Sequence, residues 1–79
     1  MLIGMRVLVR AGMTSFNPDN DQYATVIGYD DQHDQLWVRS CGNPKMSATV
    51  EWANIVGICP NDTTTILISY RGLTSIRIN

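Results

Sequence analysis

The chain has 79 residues, of which 44% are hydrophobic; this excludes the low-hydrophobicity, high-charge composition of a disordered chain. Six basic and seven acidic residues give a formal net charge of −1, so no strong global attraction to nucleic acid or to an anionic membrane is expected. Only 16% of the residues are charged, and such sparse charge leaves room for a subunit interface.

The length suits one domain over residues 1–79 rather than two. The run Met1-Leu2-Ile3-Gly4-Met5-Arg6 is too short for a signal peptide or a membrane span, and no apolar run reaches spanning length. The expected location is the cytoplasm, with no membrane partner. Cys41 and Cys59 do not make a disulfide scaffold and are expected to be reduced.

The first expected strand is Met5 to Arg10, with Val7 and Val9 on one face and Arg6, Leu8 and Arg10 on the other. A long connection follows from Met13 to Gln22, rich in turn formers (Asn17-Pro18-Asp19-Asn20-Asp21), with Phe16 expected to fold back over the core. The second strand is Tyr23 to Asp30. Both of its faces are apolar, so alternation leaves its inward side open, and Gly28 suggests a bend or a close backbone approach. A polar loop with its tip near Gln32-His33 leads to the third strand, Leu36 to Ser40.

Cys41-Gly42-Asn43-Pro44-Lys45 marks the next turn. Strand four is Ser47 to Trp52, with Ala48, Val50 and Trp52 on one face. Ala53-Asn54-Ile55 suits a single 3₁₀ turn, and Val56 to Cys59 a short fifth strand ended by Pro60. Thr64 to Tyr70 and Leu73 to Ile78, joined by Arg71-Gly72, read as an additional hairpin that must pack against something.

The order of strand, long loop, three meandering strands, single turn and short strand resembles the SH3-like small β-barrels over residues 4–59. The segment Val50-Glu51-Trp52-Ala53-Asn54-Ile55-Val56-Gly57-Ile58 carries most of that likeness. The resemblance implies an all-β fold: a five-stranded SH3-like barrel (4–59) with a C-terminal β-hairpin extension (60–79). Peptide-binding SH3 domains hold polyproline with aromatic and acidic residues in their long loops. The first loop here offers only Phe16 and the Asp19/Asp21 pair, without an aromatic ladder. Val26-Ile27-Gly28-Tyr29 and Thr49-Val50-Glu51-Trp52 also faintly resemble strands of the plasmid-encoded trimethoprim-resistant dihydrofolate reductases, which assemble as tetramers. The glutamine of that family's Val-Gln-Ile-Tyr pore stretch is absent, so the likeness implies assembly of a small barrel rather than folate reduction.

No catalytic, metal or cofactor signature is present. His33 stands among Asp30, Asp31 and Asp34, but without the spacing of a calcium loop or the ligand set of a zinc site; a solvated hairpin loop explains it. Neither cysteine has a second histidine or a CxxC spacing to work with, and the glycines match no phosphate-binding fingerprint. Glu51 is expected to pair with Arg39 on the neighbouring strand or to contact a partner. Trp37 should point opposite to Leu36 and Val38: either it forms one outward surface with Tyr29 and Arg39, aromatics and arginine being the residues favoured at binding hot spots, or it packs under the long first loop or the C-terminal hairpin.

These features lead to a non-enzymatic protein–protein interaction or assembly module, a small adaptor or accessory subunit. Its protein-binding residues would be Tyr29, Trp37, Arg39, Glu51 and Tyr70, and it would form a homo-oligomer. The alternative is nucleic-acid binding through an arginine face of Arg6, Arg10 and Arg39. A third reading is an enzyme whose site forms only in an oligomer.

Overall fold

A computed structural model describes residues 3–61 and 64–67, with side chains described for 3–59. The described residues form one antiparallel sheet and a single 3₁₀ turn. Along the chain come β1 (Arg6–Val9), β2 (Gln22–Asp30), β3 (Gln35–Ser40), β4 (Ser47–Glu51), the 3₁₀ turn (Trp52–Asn54), β5 (Ile55–Asn61) and β6 (Thr64–Leu67). In space the strand order is β4-β3-β2-β1-β5-β6. The sheet is open: β4 and β6 end the order, and no strand pairing among the described residues joins them. All-β architecture is therefore as expected, whereas the closed barrel is not what the strand pairing displays.

Alternation explains the core. Val7 and Val9 of β1 are fully buried, as are Leu36 and Val38 of β3 at every second position. Cross-strand register carries the same face across the sheet. Val7 lies opposite Ala24 and Ile58, Val26 opposite Val38, and Leu36 opposite Val50. Trp52, Ile55 and Phe16 complete one apolar cluster. Burying β-branched side chains on a single pleated face is the main stabilising term, since each contributes about 1.5–3 kcal/mol.

Strand β2 settles the ambiguity of its two apolar faces by changing phase. Ala24 and Val26 are buried, and then the pairing with β3 slips between Val26 and Gly28. The extra residue, Ile27, makes a β-bulge, so Gly28 faces Trp37 and Tyr29 faces Leu36. Gly28 has an ordinary φ, and a Cβ placed there would sit 3.8 Å from the Trp37 side chain. The bend expected at Gly28 is supplied by the bulge beside it.

The long first loop is organised by Asn17. Its side chain is fully buried and donates to the carbonyls of Val9 (3.1 Å) and Arg10 (3.0 Å). Its Oδ1 accepts from the Thr14 backbone N–H (3.1 Å) and hydroxyl (2.6 Å). Gly12, at φ +82°, donates its N–H to the Asn17 carbonyl, in a conformation that glycine adopts without strain. Phe16 is carried inward as expected.

Most strands differ from expectation by a residue or two at an end, as β1 does in spanning Arg6–Val9. The 3₁₀ turn begins at Trp52, one residue early. β5 continues through Pro60 to Asn61 rather than ending at Cys59, and its register against β6 shifts between Ile58 and Asn61, where proline supplies no N–H. β6 pairs back onto β5 as a sixth strand of the same sheet. The expected continuation to Tyr70, the Arg71-Gly72 turn and the strand from Leu73 to Ile78 lie outside the described residues, as does Tyr70 itself.

Candidate functional site

The outer face of the sheet holds the residues that the core does not claim. Tyr23 (41% exposed), Ile27 (36%) and Trp37 (43%) are the large apolar side chains of β2 and β3 that open to solvent on it. Across four strands a polar row runs Arg6, Thr25, Arg39, Ser47, each opposite the next. The Arg6 guanidinium lies over the Tyr23 ring, 5.6 Å from its centroid, a separation at which the cation is attracted to the π face. Trp37 stands one row along from Arg39, between Gly28 and Thr49. The result is a tryptophan on an interior strand, with Thr49 opposite it, Arg39 one row along and Ile27 beside Gly28, while Tyr23 lies a further row beyond Arg39.

Tyr29 does not belong to this face. The bulge at Ile27 puts it opposite Leu36, on the inner side, at the end of the sheet. There its ring lies 5.8 Å from that of Trp52. Its hydroxyl donates to Asp34 Oδ1 at 2.6 Å, and the Trp52 indole Nε1–H donates to the same oxygen at 3.1 Å. The expected Tyr29–Trp37–Arg39 surface is thus divided: Trp37 and Arg39 share the outer face, and one extra backbone residue turns Tyr29 to the rim.

Glu51 lies opposite Gln35, while Arg39 lies opposite Ser47. Four residues of strand separate them, about 13 Å, so the expected Arg39–Glu51 pair within the chain does not form. Arg10 follows the end of β1, where its backbone N–H donates to Asn54 and its carbonyl accepts from Asn17. Of the arginine set, Arg6 and Arg39 are brought together and Arg10 stands apart.

At the rim, His33, Asp34, Glu51, Trp52 and Ala53 line a shallow depression of about 250 Å³. Asp34 has a left-handed backbone (φ 53°), tolerable for aspartate, which points its carboxylate at the two aromatic donors. The His33 Nδ1 and Asp30 Oδ2 are 2.8 Å apart, and this hydrogen bond holds the Asp30 carboxyl below its ordinary range. A second, more open depression is lined by Asp21, Gln22, Tyr23, Cys41 and Gly42. Neither Cys41, which is exposed, nor Cys59, which is buried, forms a disulfide. Among the described residues no three His, Cys, Asp or Glu side chains gather closely enough to hold a metal ion. No helix among them is long and apolar enough to cross a membrane, a finding that does not bear on spanning by strands.

Two residues escaped sequence reasoning. Asp34 looked like one of several loop acids, and Tyr23 only like the start of a strand. Tyr23 was accessible to alternation, because Arg6 and Tyr23 fall on the outer faces of adjacent strands. The Asp34–Trp52 contact links residues 18 apart in sequence and carries no local signal.

No protein-family model, curated protein or solved structure matches this chain.

Proposed function

We propose that this chain is a protein-binding module of SH3-like design that docks a partner protein on the outer face of its sheet, with Trp37 as the anchor. The observation that carries the reading is Trp37 itself: a large aromatic, 43% exposed, held on an interior strand of the sheet. Leaving such a side chain in water forgoes burial, and aromatic anchors on a rigid frame lose little entropy when a partner covers them. Arg39 and Thr49 supply polar atoms beside it, and Tyr23 and Ile27 extend the apolar area. Strand β1 paired on both sides, the long loop after it and the 3₁₀ turn before β5 support the SH3-like assignment. Two cysteines without a disulfide fit a reducing compartment such as the cytoplasm. The module acts as an accessory subunit or adaptor, without chemistry of its own.

The test is co-purification from the producing cells, comparing the wild-type chain with Trp37→Ala. A partner retained by the wild type and lost by a folded Trp37→Ala variant supports the reading. Equal retention by both removes Trp37 as anchor.

One observation favours a second reading. Arg6 and Arg39 flank Thr25 in one row, with Tyr23 and Trp37 in the adjacent rows, an arrangement suited to phosphates and stacked bases. A fluorescent single-stranded oligonucleotide, titrated at rising salt, separates the two readings. Nucleic-acid binding gives an affinity that falls steeply with salt, and a protein-binding face gives no oligonucleotide affinity to lose.

A further inference from the structure

We infer that the free edge of β4 is a self-association seam, at which two copies of this chain pair antiparallel about Thr49. Among the described residues β4 ends the strand order, and only its β3 side is paired. The Ser40 N–H donates to the Met46 carbonyl, so the Ser40–Met46 pair is hydrogen-bonded. Antiparallel ladders alternate, which assigns the N–H and C=O groups of Ala48 and Val50 to β3 and turns those of Ser47, Thr49 and Glu51 outward. No backbone hydrogen bond among the described residues reaches the outward groups of Ser47 and Thr49, while Glu51 is the N-cap of the 3₁₀ turn, and its carbonyl accepts the first bond of that turn.

The edge is also unguarded. Ser47–Glu51 contains no proline and no lysine, and its register with β3 runs without a bulge. These are the usual devices by which an edge strand is kept from pairing.

The occupant is specified by side-chain complementarity. A two-fold axis through Thr49 sets each Thr49 opposite its counterpart and Ser47 opposite the second copy's Glu51. Ala48 then falls opposite Val50 on the inner face. Threonine pairs are favourable cross-strand neighbours, and Glu51 never meets Glu51. Because Arg39 already lies opposite Ser47, the outer-face row becomes Arg39, Ser47, then the second copy's Glu51. Their Cα atoms would be about 10 Å apart, two strand spacings, with only a serine side chain between. Both long side chains are exposed and reach across it, twice by symmetry. The arginine and the sole glutamate of the chain, separated within one copy, become neighbours in the pair. This seam uses the edge backbone and does not depend on what covers Trp37.

Sedimentation equilibrium of the purified chain, up to about 1 mM, tests it. The wild type should reach twice the monomer mass reversibly. Glu51→Arg and Arg39→Glu should each weaken the dimer about tenfold by replacing attraction with like-charge repulsion, and the double swap should restore it to within about threefold. Thr49→Pro removes an outward N–H and no bond to β3, so it should abolish pairing while circular dichroism stays that of the folded sheet. A wild type that is monomeric throughout overturns the inference. So does a dimer that the charge swap neither weakens nor restores.

Discussion

Asp34 Oδ1 accepts a hydrogen bond from the Trp52 indole at 3.1 Å, joining the β2–β3 turn to the 3₁₀ turn before β5. The same oxygen accepts from Tyr29 at 2.6 Å. One carboxylate therefore satisfies two aromatic polar groups at the end of the core. It also ties together the two turns at the rim of the sheet.

Asp34→Ala should destabilise the fold by about 2–3 kcal/mol, because the Trp52 N–H is left buried without its acceptor. Asp34→Asn should cost less, since its amide oxygen still accepts and asparagine also tolerates the left-handed backbone. Urea unfolding of the two variants, followed by tryptophan fluorescence, reads the difference. Equal losses would mean that charge rather than hydrogen bonding holds the rim.

Asn17→Ala should cost about 2–3 kcal/mol although it removes no apolar surface, because the Val9 and Arg10 carbonyls lose the Asn17 amide, leaving the Arg10 carbonyl only the longer bond from the Met13 N–H (3.4 Å). Hydrogen exchange should rise first at Gly12 and Thr14, whose N–H groups bond to Asn17. Protection unchanged at both amides would show that the loop is held by Phe16 alone.

The two tryptophans should separate cleanly. Trp52 is 5% exposed and packs with the core, so Trp52→Ala should cost about 3–5 kcal/mol. Trp37→Ala should change stability by no more than about 1 kcal/mol, its indole being partly in water already. Chemical denaturation measures both, and a large loss for Trp37→Ala would assign that residue to structure instead of recognition.

The His33–Asp30 hydrogen bond gives a pH signature. It lowers the Asp30 pKa in the folded state, so its contribution is present above the unfolded-state pKa and is lost as pH falls through the lower folded value. In His33→Ala the Asp30 carboxyl should titrate at higher pH than in the wild type, toward the ordinary aspartate value. NMR titration of the Asp30 side-chain carbon follows it directly, and an unmoved midpoint would remove His33 as the cause.

Much of the sheet was legible because valine and leucine at alternating positions have one way to be buried. Val7, Val9, Leu36, Val38 and Val50 follow that rule. Tyr29 breaks it for a physical reason: strand period two turns a single inserted residue into a change of face, and Ile27 looks like any other strand residue. Asn17 was recognisable as a turn former but not as a buried one, since its partners are backbone carbonyls at the end of another element. Alternation alone put Trp37 and Arg39 on a common face, because β3 carries no bulge between them, but it left open whether that face was outward or covered by another element. Separating Arg39 from Glu51 needed the register, which β-branched patterning does not specify.

Docking of a partner protein on the outer face at Trp37 can be read directly in the producing cells, with a photo-crosslinking amino acid placed at position 37 and, in a second chain, at Asp31 on the exposed turn. A discrete protein adduct from position 37 that is absent from position 31 is the expected result. Adducts to nucleic acid alone, or the same pattern from both positions, would rule out such docking.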